Sequence, residues 1–228
     1  MEKLRSFYES YPRFHVAIDC VVFGFKDGVL KILIQQRNFE PFQGVWSLMG
    51  GFVREDEDID EAARRVCKEL TGLKDVYMRQ VGTYGKVDRD PGARVVSIAY
   101  CVLIDIDRYN QQLNMMNNSY WENITTLPDM FFDHKDMIRD ALKLLQRKVS
   151  REPVGFNLLP SLFTLTQLQT LHEAILGESI DKRNFRKRVG EMNFIEKTDL
   201  VDKTSSRRGA SLYRFNSSEY KRNPEFKL

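Results

Sequence analysis

The chain has 228 residues, 42% of them hydrophobic and 29% charged, enough for a real core in one large domain or two small ones. No stretch approaches the roughly 18 apolar residues of a membrane helix. The N-terminus carries charges and prolines where a signal peptide needs an apolar run, so a cytoplasmic protein is expected. Cys20, Cys67 and Cys101 show no CxxC spacing and the three histidines are scattered, which argues against a disulfide framework and a zinc site; no metal and no cofactor is expected.

The net charge of +3 conceals an asymmetry. Residues 151–228 hold 14 Lys+Arg against 10 Asp+Glu, and within 182–214 the numbers are 10 and 4. A basic concentration on a nearly neutral protein suggests a polyanion-binding face in the C-terminal part.

In chain order, "FHVAIDCVVFGF" (14–25) and "VLKILIQQR" (29–37) are strand-like runs flanking Asp27-Gly28, which reads as a hairpin. "NFEPFQGVW" (38–46) is a loop. A helix is expected from about Asp58 to Leu70, stopped by Gly72. "VYMRQVGTYG" (76–85) and "RVVSIAYCVLIDI" (94–106) are strand-like, with the loop "KVDRDPGA" between them. "NQQLNMMNNSY" (110–120) has no clear period, and "YWENITTLP" reads as a short strand and turn. "DHKDMIRDALKLLQRKV" (133–149) is an amphipathic helix with Asp133 as N-cap. "SREPVGFNLLP" (150–160), with two prolines and a glycine, marks a boundary between a domain at 1–150 and a second at 151–228.

"GGFVREDEDIDEAARRVCKELTGL" (50–73) carries the first chemical signal. Gly51 is followed after five residues by Glu57, and after seven more by Arg65, Cys67, Glu69, Gly72 and Leu73 in fixed spacing. This resembles the Nudix box, and the likeness to the Nudix family covers roughly residues 12–148. The departures fall on the chemistry. Val66 and Leu70 stand where the family has two metal-binding glutamates. Positions 66, 69 and 70 share one helix face, so that face offers one carboxylate where Mg²⁺ needs several oxygens. A non-catalytic Nudix-like domain is therefore expected. The alternative is an active hydrolase of ADP-ribose or a related nucleotide, using Glu57, Asp58, Asp60, Glu61 and Glu69.

In the C-terminal part, Leu162, Leu165, Leu168, Leu171 and Ile175 form one helical stripe. After "GES" comes "DKRNFRKRVGEM", with Asp181 as N-cap. Phe185, Val189 and Met192 face inward; Arg183 and Lys187 point away, flanked by Asn184 and Arg186. A basic second helix after a short turn suits the major groove, where Arg reads guanine and Asn adenine. "NFIEKTDLVDK" and "ASLYRFN" are strand-like and joined by "TSSRRG", a wing with Arg207 and Arg208 at its tip for phosphate or minor-groove contact.

The whole resembles the Nudix-related transcriptional regulators, NrtR-like and arabinose-regulator-like, on the box, on "VDRDPGARVVSIAY" and on "LFTLTQLQTLHEAILGESIDKRNFRKRV". The resemblance implies an α/β fold, a Nudix-like α/β/α sandwich with a mixed sheet followed by a winged helix-turn-helix. It also implies a homodimer on a palindromic double-stranded DNA operator, and a small-molecule effector. An RNA- or protein-binding adaptor is the reading from another class. Arg37, Trp46, Glu69, Asp88, Arg89 and Arg94 are the candidate effector-binding residues, with Trp46 available to stack on a sugar or base. Loss of the metal-binding acids removes the counter-ion of a diphosphate, which favours a sugar such as a pentose over an ADP-ribose-like nucleotide.

Overall fold

The computed structural model describes residues 7–38, 40, 42–72, 74–108, 118–204, 209–222, 224 and 226. Strand β1 (His15–Lys26) is the axis of the N-terminal domain. It turns through Asp27 and Gly28, both at positive φ (53° and 78°), into β2 (Val29–Gln36). Two successive left-handed residues make the hairpin turn whose twist matches the strands. On its other edge β1 pairs in parallel with β6 (Val95–Ile104), which pairs antiparallel with β5 (Tyr77–Tyr84). Three short strands complete a mixed seven-stranded sheet: β3 (Trp46–Ser47) and β7 (Ser119–Asn123) on β2, and β4 (Met49–Phe52) on β1.

Alternation along β1 sends Val21 and Phe23 to one core and Ile18, Cys20 and Val22 to another. The second core is closed by helix α1 (Ile59–Thr71) through Ala62, Ala63, Val66 and Cys67. The first is closed by α2 (His134–Val149) through Met137, Ile138, Ala141, Leu145 and Val149. This is the expected α/β/α sandwich. α1 starts where Glu61 accepts the Asp58 N–H (2.9 Å) and stops at Gly72, at φ 71°.

Beyond α2 the chain makes a 3-10 turn (Pro153–Leu158) and enters the winged helix. Strand β8 (Phe163–Thr164) leads into α3 (Leu165–Leu176), then α4 (Lys182–Gly190), the antiparallel pair β9 (Ile195–Asp202) and β10 (Ala210–Phe215), and α5 (Ser217–Arg222). Among the described residues no helix is long and apolar enough to cross a membrane.

The structure differs from the sequence expectation in several places. α3 begins at Leu165, three residues after the first leucine of its stripe. Thr164 and Gln167 cap it reciprocally (3.1 and 2.7 Å), while Phe163 and Thr164 pair with β10. Strands β3, β4 and β8 were not expected, being too short to show a period. Gly50 and Gly51 lie in strand β4. A Cβ on Gly50 would stand 2.5 Å from Asp19 Oδ1. The segment 150–160, read as the domain boundary, is packed: Val154, Gly155 and Leu158 are buried. Val154 and Leu158 share one continuous core with Phe23 and Ile32 of the sheet and with Leu168, Leu171, Phe185 and Val189 of the winged helix.

From that shared core the two halves are expected to unfold together. Phe185 is 2% exposed, so Phe185→Ala should lower stability by about 3–5 kcal/mol. Both tryptophans, Trp46 and Trp121, lie in the N-terminal domain. Tryptophan fluorescence during denaturation should nonetheless shift with the Phe185 variant; an unmoved transition would mean that the cores unfold separately.

Candidate functional site

The Nudix-like box folds into a network of ion pairs. Arg65 donates from Nε and Nη2 to Glu57 (2.7 and 2.5 Å), from Nη1 to Glu69 (3.0 Å) and from Nη2 to the Phe52 carbonyl (2.8 Å). Arg54 donates to the other oxygen of Glu69 (3.1 Å). The Arg65 bonds, together with the Arg54 backbone N–H and against the effect of burial, hold the Glu57 carboxyl at about 2. Val66 is buried under β4; a Cβ on Gly51 would lie 3.0 Å from its Cγ2. The other acids of the hydrolase alternative are also engaged. Asp60 accepts the Tyr100 hydroxyl, Glu61 accepts from the Asp58 backbone, and Asp58 sits at the N-cap of α1. Among the described residues no group of three His, Cys, Asp or Glu could hold a metal ion. This donor set does not fit Mg²⁺, which needs several convergent oxygens.

Beside the box lies a cavity of about 510 Å³, within the range of small-molecule sites. Its base is a buried charged network. Arg89 makes a two-pronged bond to Asp133 (2.7 and 3.0 Å) and stands 3.9 Å from Asp19. Burial alone would lower the Arg89 guanidinium, but Asp133 and Asp19 leave it raised. Asp19 Oδ2 accepts the Ser97 hydroxyl (2.5 Å), and Asp19 Oδ1 faces His134 Nε2 at 3.6 Å. The Leu48 N–H donates to His134 Nδ1 (3.2 Å), which places the proton of the neutral ring on Nε2. Burial pushes the His134 ring down, against the pull of Asp19.

The upper wall is aromatic. Phe42 packs on Phe131 (4.6 Å between centroids), and the Arg37 guanidinium lies 5.6 Å from the Phe131 centroid. Phe42 and Phe132 both adopt positive φ, 69° and 49°. Two bulky residues in that region represent stored backbone strain of the kind that gathers at ligand sites.

Two of the six candidate effector residues, Arg37 and Arg89, line this cavity. The other four are elsewhere. Trp46 packs edge-to-face on Tyr120 (5.4 Å) and against the core, because strand alternation turns its neighbour Ser47 to the cavity. Asp88 is exposed, since the loop turns Arg89 inward. Arg94 lies over the Phe14 ring (5.2 Å) and bonds the Lys86 and Val95 carbonyls. Glu69 is held between Arg54 and Arg65. Asp19, Ser47, Phe131, Phe132 and His134, which are not among the six candidates, also line the cavity. An aspartate inside the apolar run "VAIDCVVF" was the one local signal available. Asp133 sits at the start of α2 as expected, but its carboxylate serves Arg89 and does not cap the helix.

The basic helix is built as its periodicity required. Asp181 caps α4 by accepting the Asn184 N–H (2.8 Å). Phe185, Val189 and Met192 are buried, while Arg183, Asn184, Arg186 and Lys187 are exposed. The turn before it is pinned by Glu173, which accepts the Ile180 N–H (2.9 Å), and by Gln169, which donates to the Ile180 carbonyl (2.9 Å). Arg207 and Arg208 lie outside the described residues. α2 joins the two sites physically: its N-terminal His134 lines the cavity, and its Gln146 donates to the Ile175 carbonyl of α3 (2.9 Å).

This is a Nudix-type sandwich carrying a winged helix, and comparison with known proteins agrees. Residues 13–147 match the NUDIX domain family, and residues 155–215 match the NrtR DNA-binding winged helix domain. The chain is 36% identical over 214 residues to the ADPR responsive transcriptional repressor NtrR of Acinetobacter baylyi, covering 92% of this chain and 85% of the relative. The crystal structure of Shewanella oneidensis NrtR complexed with a 27mer DNA superposes with a TM-score of 0.81 at 29% identity, covering 93% of this chain and 97% of that one. The NUDIX domain of the same protein complexed with ADP ribose superposes at a TM-score of 0.51 and 28% identity, over 61% of this chain and 97% of that one. The chain belongs to the NrtR-type Nudix-related transcriptional regulators: DNA-binding regulators with a Nudix effector domain.

The Glu57 ion pair gives the stability a defined acid limb. Its folded pKa, about 2, lies below the ordinary 4.5, so its contribution is complete above pH 4.5 and disappears as pH falls towards 2. Glu57→Gln should therefore flatten the fall of stability between those pH values. Denaturant titrations from pH 2 to pH 6 measure this, and an unchanged acid limb would show that the pair contributes nothing.

Proposed function

We propose that this chain regulates transcription by binding DNA through α4 and the wing, and that its N-terminal cavity senses ADP-ribose or a closely related nucleotide without hydrolysing it. The observation that carries the reading is the pairing of the cavity with a box in which Glu57 and Glu69 are tied to Arg65 and Val66 and Leu70 stand at two glutamate positions. The aromatic wall of Phe42, Phe131 and Phe132 suits a base, and the Arg37 guanidinium supplies cationic character beside it. The names of the relatives support ADP-ribose. A free pentose has no such support, and the cavity is larger than one sugar ring needs. The missing metal-binding acids, which favoured a sugar on sequence grounds, bear on catalysis more than on recognition. A homodimer on a palindromic operator in the cytoplasm completes the proposal.

A ligand that prefers the native state raises its stability, by about 2.7 kcal/mol at a concentration one hundred times its Kd. ADP-ribose at that level should raise the melting temperature clearly, and arabinose and other free pentoses should not. With Mg²⁺ present, ADP-ribose should remain intact over hours; turnover at an ordinary enzymatic rate that is lost in Glu69→Gln would make the protein a hydrolase. ADP-ribose should also change affinity for the preferred duplex by tenfold or more, and equal affinity with and without it would sink the sensing role.

On the DNA side, Arg183→Ala should cost about 1–3 kcal/mol on the preferred duplex and relax discrimination at one base pair, with stability unchanged. Salt-titrated binding to specific and random duplexes checks this. Equal binding to random duplex, or a preference for single-stranded RNA, would favour the adaptor reading.

A further inference from the structure

The floor of the N-terminal cavity holds polar groups whose bonding capacity the protein leaves unfilled. Ser47 lines the cavity and is 3% exposed, and its hydroxyl has no hydrogen-bond partner among the described residues. An orphaned buried hydroxyl costs stability, and a turn of the Ser47 side chain would bring it within reach of a ligand hydroxyl in the cavity. His134 lines the same cavity; with Nδ1 accepting the Leu48 N–H its proton lies on Nε2, whose 3.6 Å to Asp19 Oδ1 is beyond a normal hydrogen bond. Asp19 itself is held here by design of the strand next to it, since any side chain at position 50 would displace it.

The chemistry of these groups selects what they can bind. A phosphate oxygen only accepts, and the Asp19 carboxylate would repel it. Arg89, the cation nearest Asp19, is already committed to the two oxygens of Asp133. A sugar hydroxyl both donates and accepts: it can take the protons of His134 Nε2 and Ser47 Oγ and give its own to Asp19. We propose that Ser47, together with His134 and Asp19, reads a hydroxyl on the terminal ribose of the effector, and so distinguishes an ADP-ribose-type ligand from the same nucleotide without that sugar. This rests on the ADP-ribose reading above.

The test compares ADP-ribose and ADP on the full-length wild-type chain and on Ser47→Ala by titration calorimetry, together with the melting temperature of each ligand-free protein. Ser47→Ala should weaken ADP-ribose about tenfold, the equivalent of one hydrogen bond, and leave ADP within about twofold. Its ligand-free melting temperature should equal or exceed that of wild type, because an unpaired buried hydroxyl has been removed. Equal weakening of both ligands would reduce Ser47 to shaping the cavity and overturn the assignment, as would unchanged ADP-ribose affinity. A melting temperature lowered by several degrees would show that the hydroxyl has a structural partner, with the same consequence. A wild-type protein that binds ADP-ribose while these differences are absent removes the Ser47 assignment alone; one that binds no ADP-ribose removes the effector reading and the assignment with it.

Discussion

The apolar face of α2 lies in one core with both the mixed sheet and α3, and most of the architecture depends on that double burial. A helix packed on one side alone would leave the winged helix a free appendage. Here Met137, Ala141, Leu145 and Val149 share a cluster with Val21, Phe23 and Cys101 of the sheet and with Leu168, Leu171 and Ile175 of α3. Close-packed interiors transmit displacement because they have few voids to absorb it. The same helix begins beside Arg89 and His134 in the cavity and contacts the winged helix through Gln146. The cavity and the winged helix thus meet on one helix.

The buried charges at the start of α2 are tolerable because each has a partner of fixed geometry. Removing Arg89 or Asp133 from water alone would be prohibitive, and the fork of the guanidinium on both carboxylate oxygens offsets that cost. The neighbouring Asp19 depends on Ser97 and on the missing side chain of Gly50. Such an arrangement is a weak contributor to stability and a strong constraint on the shape of the cavity base.

In the box, two positions that carry glutamate in the Nudix pattern are apolar and packed. Val66 fills space under Gly51 and Leu70 lines the cavity edge, so two positions that would carry charge in a hydrolase instead bury apolar surface. Arg65 keeps its place by turning to Glu57, Glu69 and the Phe52 carbonyl. The loop before α1 is therefore held by ion pairs within the protein.

The sequence by itself determined what is local. The Asp27-Gly28 hairpin, the box spacing, the caps at Asp181 and Gly72, and the buried and exposed faces of α4 all follow from neighbours within a few residues. The strict box spacing and the basic helix were enough to place the family. Only the tertiary structure decided which side chains meet in the cavity. Asp19, Ser47, Arg89 and His134 come from β1, β3, a loop and α2, and no spacing along the chain relates them. Strands of two to four residues carry no readable period, so β3 and β4 were invisible, and with them the alternation that turns Ser47 in and Trp46 out. Pairing across a sheet is a non-local event: it is set by which strands find one another, and that information is spread over the whole core.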